Sequence, residues 1–270
     1  MKIKSYLNGK RVGLLIKKDL FIEKRFVAII SLTISLLIIV ASFMSAIGRN
    51  NPNFHLSFFT FLMYTVGIII TSKIFSEMHS LKKNHFWYML PASDLEKTLS
   101  RFTISAIIWP VALLILYSVV SVLMGIINRG LIGYGNNPLL PTNPEVWRRI
   151  GSYILIQSTF FYGAALFKRH QLIKMGLAIT LFFGFLLIVM MIVFRSFMGN
   201  NMGEFSFHQF YQWGNNYSQS FNFNIDSETM QKAFFLIKRG LKIFYYFIMA
   251  PLFWSLAYLK IRHNEASNGV

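Results

Sequence analysis

Cysteine is absent from this 270-residue chain. That removes disulfides, thiolate-held zinc, iron–sulfur clusters and thiol nucleophiles from consideration. Charge is scarce as well, at 14% of residues against about 25% in an ordinary soluble domain. Acid is scarcest of all. The ten carboxylates (Asp19, Glu23, Glu77, Asp94, Glu96, Glu145, Glu204, Asp226, Glu228, Glu265) all lie in flanks or loops between apolar blocks. A carrier driven by protons or sodium keeps such a group at the middle of a span, so ion-coupled transport is disfavoured. The six histidines have no metal-ligand spacing, and lone loop histidines read as solvated. Neither a Gly-x-Ser-x-Gly elbow nor a glycine-rich phosphate loop occurs. The chain is therefore expected to hold no metal, no cofactor and no catalytic site of its own.

What remains is apolar. Hydrophobic residues make up 54% of the chain, Phe alone numbers 28, and the mean hydropathy is +0.49. That balance names lipid as the solvent for much of the chain. The sequence predicts an all-α integral membrane protein with six transmembrane helices at 27–47, 54–75, 102–127, 151–167, 175–194 and 241–259. The first, 21 residues without a charge, makes a helix of about 31 Å, close to the hydrocarbon thickness. It is longer than the apolar core of a secretory signal and begins 26 residues in, so it reads as an uncleaved anchor. Pro110 and Pro251 are expected to kink the third and sixth spans.

Lys and Arg decide orientation. With the N-terminus inside, inner segments hold 18 of the 27 and outer segments nine, which predicts both termini in the cytoplasm. This alternation with apolar blocks also argues against nucleic acid as the partner of the +17 charge, since phosphate-gripping cations cluster on one folded face. In the 1–26 segment the pairs Lys10-Arg11, Lys17-Lys18 and Lys24-Arg25 recur every seven residues, nearly two helical turns, and so share one face. Leu15, Ile16, Leu20 and Ile22 supply apolar surface elsewhere. The segment is expected to be an amphipathic interfacial helix whose basic face meets membrane lipids. Outside, Asn143-Pro144-Glu145 reads as a helix cap and first turn. The aromatic-rich loop 195–240 reads as a packed cap or an interfacial segment, with Asp226 capping a helix into the last span; an aromatic ligand platform is the alternative.

Between the second and third spans lies HFWYMLPASDLEKTLSRF, residues 85–102. Pro91 stops the approaching chain. Ser93-Asp94-Leu95-Glu96 reads as a capping box, with Asp94 adding charge to the helix N-terminus. Leu95, Leu99 and Phe102 form one apolar stripe. Phe86, Trp87, Tyr88 and Met89, if exposed beside Lys82 and Lys83, would form a patch calling for a membrane interface or a protein partner.

The six-span plan, the interfacial helix and this loop together resemble the permease subunits of bacterial type-2 ABC exporters. Glu77, the apolar run Phe86 to Leu90, Leu90-Pro91-Ala92-Ser93 and Arg101 stand in that family's order. The Gly-Thr pair common after the glutamate is missing, the loop reading Ser80-Leu81-Lys82-Lys83-Asn84-His85 instead, and the interval from Glu77 to Pro91 is longer than usual. The resemblance implies a coupling loop, 76–101, whose residues Glu77, Phe86, Trp87, Tyr88, Met89 and Pro91 meet a separate ABC-type ATPase. Ser93, Asp94 and Glu96 would stiffen it. It also implies a connecting helix at the N-terminus, pairing with a second permease, like or unlike, and residence in the bacterial inner membrane with the tail 261–270 inside. An ATPase-independent membrane scaffold or sensor is the alternative.

Overall fold

A computed structural model of the chain describes residues 7–48, 53–80, 87–134, 136–168, 170–198 and 245–268. Among these residues the backbone is helix, turn or loop, with no strand. Residues 199–240 of the aromatic loop, with Asp226, and Phe86 lie outside the described residues, while 195–198, expected to open that loop, are helical.

The helices are α1 (Gly9–Ile22), α2 (Lys24–Ile47), α3 (Phe54–Lys73), α4 (Ser76–His79), α5 (Asp94–Thr103), α6 (Trp109–Ile132), α7 (Pro144–Leu166), α8 (Gln171–Met198) and α9 (Ala250–Asn268). Four helical stretches among the described residues are long and apolar enough to cross a bilayer: Lys24–Ile47, Phe54–His79, Asp94–Ile132 and Gln171–Val189. The chain is thus a helical membrane protein. Of the two other expected spans, 151–167 falls along α7 and its C-cap, and the described part of 241–259, residues 245–259, leads into and along α9. Both helices dilute their apolar sequence with charge: Glu145, Arg148 and Arg149 in α7, Lys260 and Arg262 in α9.

Each proline expected to kink a span has a π turn just before it. A π turn, Ile104–Ile108, joins α5 to α6 two residues before Pro110, and another, Tyr245–Met249, precedes Pro251 in the same way. Proline lacks the amide that would continue the ladder and crowds the preceding turn, which widens in response. At the first π turn the Trp109 amide donates to Ile104 O, five residues back, and the Ser105 carbonyl is left to accept the Tyr153 hydroxyl at 2.9 Å.

One compact unit comprises residues 1–174 and 248–270. Its apolar core has two parts. One joins α2, α3, α6 and α7 through Ile38, Phe59, Met63, Tyr117, Val146 and Tyr153. The other joins the C-terminal end of α3, the elbow before α5, α7 and α9 through Phe75, Trp87, Phe161, Ala257 and Ile261. Gly67 lets α3 and α7 close on each other: a Cβ there would lie 2.6 Å from the Tyr153 ring and 2.7 Å from Trp109 Nε1. The second unit, 175–247, contains the rest of α8, where Leu177, Leu181, Phe185 and Ile188 are exposed along an apolar helix.

Candidate functional site

The site is the elbow at 87–93 that leads into α5, together with α4 and with α1 lying against α5. Ala92 N donates to Leu90 O at 2.8 Å across Pro91, so the chain reverses tightly there. Ser93 then adopts extended backbone and caps α5. Its hydroxyl accepts from Glu96 N at 3.2 Å, and Glu96 Oε2 accepts from Ser93 N at 3.0 Å. This is the capping box the sequence predicts. Asp94 stands in the first turn as expected. The Asn143 cap of α7 is likewise present, its side chain accepting from Glu145 N at 2.9 Å.

Glu96 does more than the sequence announces. Its other oxygen accepts from Asn8 N at 2.7 Å, and Asn8 is the residue whose side chain caps α1 through Lys10 N at 3.0 Å. One fully buried carboxylate therefore ties the start of α1 to the start of α5. Charge-assisted bonds of this kind are the stronger class.

A second tie is ionic. Arg101 Nη2 donates to Glu77 Oε2 on α4 at 2.6 Å, while its Nε lies 3.4 Å from Asp19 Oδ2 on α1. The guanidinium carbon sits 5.6 Å from the centre of the Trp87 ring, and Lys97 Nζ is equally close. Burial raises the Asp19 carboxyl above the usual carboxylate range, with Arg101 and Lys18 pulling the other way. Three helices, α1, α4 and α5, thus meet around one arginine.

Trp87 is not the exposed anchor that the sequence suggests. It is 2% exposed, in edge contact with Phe75. From there a chain of ring contacts runs Phe75–Phe161–Phe102–Trp254, reaching α7, α5 and α9. The indole gains more by filling this core under two cations than by facing water. Tyr88 is half-buried, whereas Met89 is 78% exposed and Pro91 is exposed.

The short helix α5 is turned inside out. It buries Glu96, Lys97, Thr98 and Ser100 and exposes Leu95 and Leu99. The apolar stripe is as predicted for Leu95 and Leu99, but Phe102 leaves it to pack inward, edge-on to Trp254. Among the described residues of the elbow and α5, Met89, Pro91, Leu95 and Leu99 are exposed apolar residues. In water an amphipathic helix buries the opposite side; here the polar side is consumed by the ties to α1 and α4.

The predicted N-terminal helix is present, but it stops at Ile22. Glu23 breaks it, so Lys24-Arg25 opens α2 and does not extend the face of α1. Lys10, Arg11 and Lys17 are exposed, and Lys18 is half-buried, 3.5 Å from Asp19.

Sequence reasoning assigns no role to His55, which is almost fully buried at the start of α3. Its Nδ1 lies 3.2 Å from the Tyr117 hydroxyl and its Nε2 3.5 Å from Ser42 Oγ, and Asn128 Nδ2 donates to that same serine at 3.2 Å. This cluster ties α2, α3 and α6. His79 is half-buried, its Nε2 lying 3.1 Å from Ala164 O. No periodicity marks either histidine, because its partners are remote in the chain. Among the described residues no group of three His, Cys, Asp or Glu could hold a metal.

No protein-family model matches this chain, and no curated protein or solved structure resembles it at a significant level.

Proposed function

We propose that this chain is the membrane-spanning permease subunit of an ATP-driven exporter of the type-2 kind, with six spans and both termini on the cytoplasmic side of a bacterial inner membrane. Its partners are a separate ABC-type ATPase and a second permease, identical or related. The observation that carries this reading is the inverted α5. Its polar groups are spent internally, and an apolar ridge of Met89, Pro91, Leu95 and Leu99 faces outward on a braced turn. The docking role moves to these residues from Trp87, which becomes the support beneath them. The inside location rests on the distribution of Lys and Arg.

In this reading the ATPases close on nucleotide, and the ridge is displaced with them. Glu96 and Arg101 make α1, α4 and α5 move as one piece. The ring chain from Trp87 carries that displacement to α7 and α9, and the continuous helix from Asp94 to Ile132 carries it into the bilayer. ATP hydrolysis belongs to the partner, and the chain supplies no catalytic group.

A photo-crosslinking residue at Met89 is expected to give an adduct with a protein that carries a phosphate-binding loop, identified by mass spectrometry. The same probe at Val119, an exposed position in the middle of α6, is expected to give none. Adducts with lipid alone at Met89 would favour the ATPase-independent scaffold or sensor.

A further inference from the structure

The outward face of α1 has a chemistry that neither core packing nor coupling uses. Leu7, Leu14 and Phe21 recur every seven residues, as do Lys10, Lys17 and Lys24 and again Arg11, Lys18 and Arg25. Within α1 this spacing puts Leu14 and Phe21 on one line, with Lys10 and Lys17 along one side and Arg11 and Lys18 along the other. Leu14 and Phe21 are each 66% exposed. Val12 and Asp19 face inward and are buried, with Leu15 and Ile16 half-buried beside them. The outward line is therefore not the apolar surface expected from Leu15, Ile16, Leu20 and Ile22.

Two further facts define what the line meets. Asn8–Glu96 and Asp19–Arg101 pin α1 near both ends, so the helix cannot roll Leu14 and Phe21 out of water. The helix it is pinned to, continuous over 39 residues from Asp94 to Ile132, is about 58 Å long, nearly twice a hydrocarbon core of about 30 Å. A helix of that length extends beyond the apolar layer, and its charged first turns, against which α1 packs, are the end that would stand at headgroup depth. Lys24 Nζ sits 4.4 Å from the centre of the Phe21 ring, an ammonium held above an exposed aromatic.

We propose that this face of α1, with Lys24 from the start of α2 standing over Phe21, is a binding surface for anionic lipid: Leu14 and Phe21 enter the acyl boundary while Lys10, Arg11 and Lys17 of α1 and Lys24 of α2 hold negatively charged headgroups. An apolar line between two basic rows is complementary to a leaflet bearing negative charge, where each nearby cation adds attraction. A protein groove would have to supply the same two acidic rows. The inference rests on the membrane location alone and requires no ATPase, so it and the permease reading fail separately.

The chain has no native cysteine, so Leu14→Cys and Phe21→Cys each take a single spin label. The full chain is reconstituted in nanodiscs of phosphatidylcholine alone, and of equal parts phosphatidylcholine and phosphatidylglycerol. Accessibility to oxygen relative to a water-soluble nickel chelate reports depth. The ratio is expected to rise several-fold in the anionic discs at both sites, and Lys10→Gln/Arg11→Gln/Lys17→Gln/Lys24→Gln is expected to abolish that rise. Equal ratios in the two lipids, labels open to the nickel chelate in both, or labels shielded from both reagents as by a protein partner would each overturn the proposal. So would a rise that survives the four substitutions.

Discussion

At the scale of single residues, Arg101 matters most. It stands between two carboxylates from different helices and beneath an indole. Removing it leaves Asp19 and Glu77 facing each other with no cation between them. Breaking a buried pair from one side costs on the order of 3–5 kcal/mol, so Arg101→Ala is expected to lower the thermal midpoint of the detergent-solubilised protein sharply. Asp19 is different. Its carboxyl titrates above the usual range because burial outweighs its cations. The folded state therefore binds that proton more tightly than the unfolded chain does. The stability from this proton is complete below the ordinary carboxylate value and is lost as pH rises through the raised one. Asp19→Asn is expected to keep the thermal midpoint near the parent's at neutral pH and to flatten its decline across that window. A loss as large as that of Arg101→Ala would contradict this direction of linkage.

At the scale of elements, the close approach of α3 and α7 depends on a missing side chain. Gly67→Ala places a Cβ within 2.7 Å of both Tyr153 and Trp109, and overpacking of this kind costs about 1–3 kcal/mol. A fall in thermal midpoint is expected, with weakening of the Tyr153–Ser105 bond that caps the π turn. An unchanged midpoint would mean that the two helices separate freely. The elements also divide cleanly by what the sequence can announce. Ser93–Glu96 and Asn143–Glu145 are local signals, four residues or fewer, and both caps form. The stripe of Leu95 and Leu99 is legible, but not the side it faces, because that is decided by Asn8, Asp19 and Glu77 far away in the chain. Trp87 and His55 escape a sequence reading for the same reason: a side chain's burial depends on partners that no local pattern names. The end of α1 at Ile22 is hidden by a basic repeat that continues through the break at Glu23.

At the scale of the whole molecule, the apolar blocks give a helical membrane protein whose outer surface is expected to be solvated by lipid. The elbow is the place where polar chemistry and apolar exposure exchange their usual sides. Two classes of substitution separate its parts. Trp87→Ala removes the core beneath the elbow and is expected to cost about 3–5 kcal/mol, lowering stability whatever the partner. Met89→Asp/Leu95→Asp changes only exposed positions and is expected to leave the thermal midpoint unchanged. The most direct measurement is co-purification of the tagged full chain in mild detergent, with the Met89→Asp/Leu95→Asp variant alongside. The parent is expected to bring down an ATPase in fixed ratio, and the equally stable variant to lose it. Recovery of no ATPase with the parent, or of the same amount with both, would contradict the assignment of the elbow as the coupling surface.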